Sequence, residues 1–119
     1  MEIFDTTQLA LATAMTGADQ RQNALADNIA NVDTPGYRRK DVDFHAALRG
    51  AMATGAPALD GMSFTPAEDP SAAPVRADGN TVDIDREAAA EASNGLEYEA
   101  LSQVLKTRDD IIQTAIGVH

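Results

Sequence analysis

Leu11, Met15, Ala18, Gln22, Leu25, Ile29 and Val32 follow one another at gaps of 4, 3, 4, 3, 4 and 3 residues. That is a coiled-coil heptad, broken only by Gln22, and it commits the N-terminal quarter of the chain to one long helix. A helix over residues 6–32 would be about 40 Å long at the usual rise. It is too long and too narrowly striped to be buried inside a globule of 119 residues. Its start is predicted by Asp5 as N-cap with Gln8 at N3, and by Phe4 and Leu9 as a hydrophobic staple. Polar residues lie in or beside the seam. Gln22, Asn28 and Asn31 are either solvated positions or pair across helices and set the register, as amides in a seam do.

A second seam lies at the other end. Tyr98, Leu101, Leu105, Ile112 and Ala115 continue at gaps of 3, 4, 7 and 3, with Arg108 in the long gap. Val104, Ile111 and Ile116 widen the stripe. The helix is expected to start near Thr81–Asp85, capped by Asp83 or Asp85 with Glu87 complementing its dipole, and to run to about Gly117. Its first half is rich in alanine (Ala88, Ala89, Ala90, Ala92), and Asn94-Gly95 is expected to weaken or kink it.

Between the helices the composition changes. Residues 41–53 suit a short helix with Phe44, Leu48 and Met52 four apart. From Gly50 to Asn80, four of the five prolines, four glycines and eight alanines occur without periodicity. This predicts an irregular segment with Met62 and Phe64 as its anchors, docking locally against a neighbour. The expected fold is therefore all-α: two long terminal helices in an antiparallel coiled-coil hairpin, joined by an irregular Gly/Pro/Ala-rich middle. It is read as a single domain over 1–119: an N-terminal helix at 6–32, a turn and short helix at 33–49, the irregular segment at 50–80, and a C-terminal helix at 81–117. Leu, Ile, Val and Phe make up only 23 residues, against a net charge of −10. Such a chain has little material for a core of its own and gains most by burying helical faces against neighbours.

The first helix is stopped by Asp33-Thr34-Pro35-Gly36. Pro35 fixes its own φ and pushes Thr34 out of the α region, and Gly36 can supply a positive φ. Tyr37 and the cations Arg38, Arg39 and Lys40 follow at once. The whole string Asn28-Ile29-Ala30-Asn31-Val32-Asp33-Thr34-Pro35-Gly36-Tyr37-Arg38 resembles the signature of the bacterial flagellar axial proteins, the rod, hook and hook-associated proteins. Asp41-Val42-Asp43-Phe44, Asp78-Gly79-Asn80-Thr81-Val82-Asp83 and the short length are similar to the proximal-rod members of that family. The resemblance covers roughly residues 5–48 and 76–116.

The resemblance implies a structural subunit at the base of the flagellar drive shaft, in the periplasmic rod of the basal body. It would be assembled by coiled-coil packing of its terminal helices with neighbouring axial subunits, itself included. The implied partners are other rod proteins, the adaptor FliE that joins rod to MS ring, and the flagellar export gate. Export would be through the flagellar type III apparatus without a cleaved signal peptide. Asn28, Asn31, Asp33, Thr34, Pro35, Gly36, Tyr37, Arg38 and Arg39 are the implied signature and interface residues, with Tyr37 and Arg38–Lys40 meeting an adjacent subunit. The seam residues would be Leu11, Met15, Leu25, Ile29, Val32, Tyr98, Leu101, Leu105 and Ile112. Phe44 and Leu48 resemble the Phe-x-x-x-hydrophobic element by which early export substrates are recognised at the gate. The alternative is a cytoplasmic acidic helical adaptor or secretion chaperone, for which the heptads would serve equally well.

The residues themselves offer no catalytic chemistry. Cysteine is absent and the two histidines, His45 and His119, are isolated, so no zinc site is expected. Asp78–Asp85 fails the EF-hand pattern, since Asp83 stands at its glycine position and Ala89 at its glutamate. No nucleophile elbow, P-loop or dinucleotide fingerprint occurs, and no cofactor is expected. A pI near 4.3 argues against nucleic acid. No run reaches the ~20 apolar residues of a membrane span, and the first residues carry no basic and apolar leader of a cleavable signal.

Overall fold

The computed structural model describes residues 2–72 and 75–117. Its elements are α1 (Glu2–Ala30), β1 (Lys40–Asp41), α2 (Phe44–Thr54), α3 (Ala56–Leu59), β2 (Ala67–Glu68) and α4 (Ile84–Ala115). Helices α1 and α4 run side by side in opposite directions. Asn28 near the end of α1 bonds to Glu87 at the start of α4, and Gln8 near the start of α1 bonds to Asp109 near the end of α4. The molecule measures 62 × 30 × 17 Å, with a radius of gyration of 17.6 Å. A compact domain of this length would have about 13.5 Å. The predicted hairpin of two long helices is the observed architecture, with one addition: β1 and β2 form a two-residue antiparallel ribbon, Lys40 opposite Glu68 and Asp41 opposite Ala67.

Helix α1 already starts at Glu2, so Asp5 lies inside the helix and does not cap it. The side chains of Phe4 and Asp5, the staple and cap residues, lie outside the described residues, as does His119. The helix ends at Ala30, two residues before the predicted stop, because the turn begins at Asn31. At α4 the open choice of cap resolves to Asp83, whose carboxylate accepts from the amides of Asp85 and Arg86. The helix runs unbroken through Asn94-Gly95. Asn94 is fully buried there and donates to the Ala18 carbonyl at 2.8 Å and to Gln22 Oε1 at 2.8 Å. That anchorage offsets the low helix propensity of the pair.

Helix α1 buries two faces. One meets α4. The other, with Ala10, Ala14, Gly17 and Ala24, receives α2, α3 and the segment after them. Phe44 is the more deeply buried of the two phenylalanines in this core, 1% exposed and edge-on to Phe64 at 6.1 Å. Gly17 makes room for it: a Cβ there would stand 2.6 Å from Phe44 Cβ and Cγ. A second cluster joins Ala10, Ala51 and Leu59. Residues 50–80 therefore differ from the expectation in two respects. They contain the end of α2, α3 and β2, and the expected anchors Phe64 and Met62, with Leu59, are buried in or packed against this chain's own core. The reason is the run of alanines and Gly17 on α1, which lets other elements approach its backbone closely.

Candidate functional site

The chain leaves α1 through a turn in which Thr34 N donates to the Asn31 carbonyl at 3.0 Å and Tyr37 N to the Thr34 carbonyl at 3.2 Å. Pro35 and Gly36 occupy the two central positions of the second bond, and Gly36 has φ +74. This is the arrangement of a type II turn, which requires a positive φ at its third residue. Burial alternates over residues 37–40 as the chain enters β1, the pattern of a strand. Arg38 and Lys40 point to solvent, and Arg39 between them is buried.

Arg39 anchors the site. Its Nε donates to Glu87 Oε1 at 2.5 Å, Nη1 to Asp69 at 2.5 Å, and Nη2 to Asp41 at 3.2 Å and to Glu87 Oε2 at 3.3 Å. Its backbone N–H donates to Thr81 Oγ1 at 2.8 Å, and its carbonyl accepts from Asp69 N. One guanidinium thus ties the segment after the turn to α4 and to the end of the ribbon. Glu87 is 1% exposed, and a buried carboxylate is tolerable only with such a partner. Burial works against the Arg39 charge, but the Glu87 hydrogen bond and charge outweigh it and raise its pKa. Burial likewise pulls Asp41 upward. Hydrogen bonds from Arg21 and the Val42 amide, with both guanidinium charges, overcome it and hold the carboxyl below its ordinary value. Asp69 is lowered chiefly by the Ser71 hydroxyl, with Arg39 assisting.

Asn28, fully buried, faces the same cluster. Its Nδ2 donates to the Lys40 carbonyl at 2.7 Å and to Glu87 Oε2 at 3.1 Å. Its Oδ1 accepts from Lys40 N at 2.9 Å and from the Tyr37 hydroxyl at 3.3 Å. Both donors and both lone pairs are used, and the side-chain amide pairs with Lys40 as a strand backbone would. Tyr37 is half-buried. Burial, then the charges of Asp27 and Glu87, raise its pKa. Asn31 behaves differently: it bonds the Asp27 carbonyl and the Thr34 hydroxyl, both local to the turn. Of the three amides weighed for cross-helix pairing, Gln22 and Asn28 reach α4 and Asn31 does not.

The signature residues therefore divide. Asn28 and Arg39 are spent within the chain, Asn31 shapes the turn, and Asp33, Thr34, Pro35, Gly36 and Arg38 are exposed. The seam divides too. Leu25 is fully buried, and Leu11, Met15, Ile29, Val32, Leu101 and Leu105 are half-buried, whereas Tyr98 and Ile112 are 39% and 41% exposed. On α4 the inward positions recur every seven residues as Glu87, Asn94, Leu101 and Arg108, three of them polar. Each polar one meets α1: Glu87 at Asn28, Asn94 at Gln22, and Arg108 at Gln8. Phe44 and Leu48 sit in and against the core. Beside the inward stripe of α4, Val104 and Ile111 stand three residues after Leu101 and Arg108, and they and Leu96 are exposed by 46%, 61% and 68%.

Sequence reading missed Glu87 as an anchor, along with Asn80, Asn94 and Gly17. The seven-residue recurrence of Glu87, Asn94, Leu101 and Arg108 was the available signal for two of them. Among the described residues no group of three or more acidic or histidine side chains could hold a metal, and no helix is long and apolar enough to cross a membrane.

A family model described as "Flagella basal body rod protein" matches residues 9–38, most of α1 and the turn after it. The flagellar basal body rod protein FlgB of Escherichia coli (strain K12) is 38% identical over 116 residues, spanning 80% of this chain and 84% of that protein. FlgB of Salmonella typhimurium is 37% identical over 115 residues, 79% and 83% of the two chains. FlgB of Bacillus subtilis (strain 168) is 30% identical over 128 residues, 98% and 97%.

Proposed function

The chain belongs to the flagellar basal body rod protein FlgB family, a non-enzymatic structural subunit of the rod, and from that premise we propose how it assembles. The exposed flank of α4 is the subunit-packing surface, engaging helices of neighbouring axial subunits, copies of this chain among them. The single observation that carries this is the exposure of Leu96, Val104 and Ile111, which the contact with α1 leaves uncovered. Residues Ala89, Ser93, Leu96, Ala100, Val104, Thr107, Ile111 and Thr114 form an uncharged line at gaps of 4, 3, 4, 4, 3, 4 and 3. Coiled-coil partners recognise such a line, with the small residues allowing close approach of a second helix. A chain with so little core gains its apolar burial there.

The exposed turn, Asp33–Gly36 with Arg38 and Lys40, is the second contact, meeting acidic helix faces of an adjacent subunit. The adaptor FliE and the export gate are the specific partners proposed beyond the other rod proteins, with Phe44 and Leu48 read by the gate before the chain folds. Passage through the flagellar type III apparatus without a cleaved signal would deliver the subunit to the periplasmic rod. The rod family leaves the chaperone alternative without support.

The test is a pair of substitutions in the source cell. Leu96→Asp with Ile111→Asp should leave a purified chain with unchanged helicity, because both sites are solvent-exposed. Swimming should be lost, and mass spectrometry of isolated hook–basal bodies should find the variant chain absent. Variant chain present at normal amounts in swimming cells would overturn the assignment of this face.

A further inference from the structure

The motif Asp78-Gly79-Asn80-Thr81-Val82-Asp83 lies far in sequence from the turn at 33–36, yet the two are in contact. Asn80 is fully buried. Its Nδ2 donates to the carbonyls of Asn31, Val32 and Thr34 at 2.9, 3.2 and 2.8 Å, two hydrogens shared among three acceptors. Its Oδ1 accepts from Val82 N at 2.7 Å. These carbonyls belong to the turn just past α1, and each has one other donor: Thr34 N, Arg76 Nη2 and Tyr37 N respectively. A carbonyl oxygen has two lone pairs, and one side chain from 46–49 residues away fills the second on all three. The neighbours of Asn80 close the same joint. Arg76 Nη2 donates to the Val32 carbonyl, Gly36 N to the Asp78 carbonyl at 2.8 Å, and Thr81 N to the Tyr37 carbonyl at 3.0 Å. Gly79, with φ +84, lies so close that a Cβ would stand 3.4 Å from Gly36 Cα. Three residues on, Asp83 caps α4.

We infer that Asn80 is the positioning residue of the turn, coupling the C-terminal end of α1 to the start of α4. The exposed Pro35–Arg38 surface is thereby held at one angle to both long helices. Without the side-chain amide, three carbonyls of the turn just past α1 each lose one of their two donors, and the turn is left to pivot on its remaining bonds. Its value to a rod subunit rests on the packing reading above, but the positioning itself is a property of the isolated chain and is tested there.

The experiment is amide-resolved hydrogen exchange by NMR on the purified full chain, wild type against Asn80→Asp and Asn80→Ser. Asn80→Asp keeps the acceptor for Val82 N but replaces the donors with a charge facing carbonyl oxygens. Asn80→Ser removes most of the donors without adding charge. Protection of the Gly36, Tyr37 and Thr81 amides should fall by about tenfold or more in both variants, as for loss of roughly one net hydrogen bond. Amides in the middle of α1 and α4 should keep their protection. Equal loss across the helices in both variants would make Asn80 a general stability residue and overturn the inference, as would unchanged exchange at Gly36 and Thr81. Motility separates the two readings. A loosened turn in cells that swim and build normal rods would remove the turn from the packing reading while leaving Asn80 as its positioning residue.

Discussion

At the scale of single residues, Arg38 and Arg39 are adjacent, identical in chemistry and opposite in consequence. Arg39 is 8% exposed and bonds three carboxylates, while Arg38 faces solvent. Removing one partner of a buried ion pair strands the other without water or counter-charge, at a cost of about 3–5 kcal/mol. Arg39→Met should therefore lower the unfolding free energy obtained by urea titration by an amount in that range, and Arg38→Met should stay within about 0.5 kcal/mol of wild type. Equal effects would mean that the Arg39 cluster contributes no more than a surface pair. Gly36 carries a different constraint. Nothing lies within 4 Å of a Cβ built on it, so space is not what excludes a side chain; its φ of +74 is. A β-branched residue is strained in that region. Gly36→Val should abolish swimming while the protein is still synthesised, and motility at wild-type rates would show that the turn geometry is dispensable.

At the scale of elements, the contact of α1 with α2 depends on a missing methyl group. Helix propensity alone says that Gly17→Ala should stabilise α1 by up to about 1 kcal/mol. The added Cβ, however, would meet Phe44 Cβ and Cγ at 2.6 Å, at the backbone end of a side chain that cannot swing away. Overpacking of this kind costs about 1–3 kcal/mol and should win. Gly50 in α2, with open space around its Cβ position, provides the control. Gly50→Ala should raise the melting temperature and Gly17→Ala should lower it. A rise in both would show that α2 can shift without loss. Helix α4 holds its register through polar pairs more than apolar ones. Glu87, Asn94 and Arg108 each find α1 at one antiparallel offset, and a slip by one heptad would bury Glu87 away from Arg39 and Asn28.

At the scale of the whole molecule, charge governs the response to acid. Asp41 and Asp69 both have folded pKa values below the ordinary 3.8. The folded state then binds fewer protons than the unfolded chain. Their stabilisation is complete above the unfolded value and is lost as pH falls through the folded one. Acidification also relieves the self-repulsion of a chain carrying −10, which acts in the opposite sense. The comparison of wild type with Asp41→Asn isolates the first effect. The gap in melting temperature between them should be constant from pH 7 to about 5 and narrow below pH 4. A gap independent of pH would mean that Asp41 carries no linked charge.

What could be read from the sequence was local or periodic. The two heptads predicted the α1–α4 hairpin, the Asp83/Asp85 pair the cap of α4, and Pro35-Gly36 the turn, because each depends on residues within a few positions of one another. Position 39 illustrates what could not. Arg38, Arg39 and Lys40 form an undivided basic run as letters, and Arg39 is buried only because Asp69 and Glu87, 30 and 48 residues away, converge on it. The irregular middle was invisible for the same reason. Leu59 and Phe64 become core residues only against alanines and Gly17 of a helix formed forty residues earlier. The sequence alone determined the two long helices and the turn that follows the first. Tertiary structure alone decided which charges are interior, which face of α4 is left open, and that Asn80 holds the joint. Burial and pairing depend on neighbours in space, and no spacing along the chain encodes them.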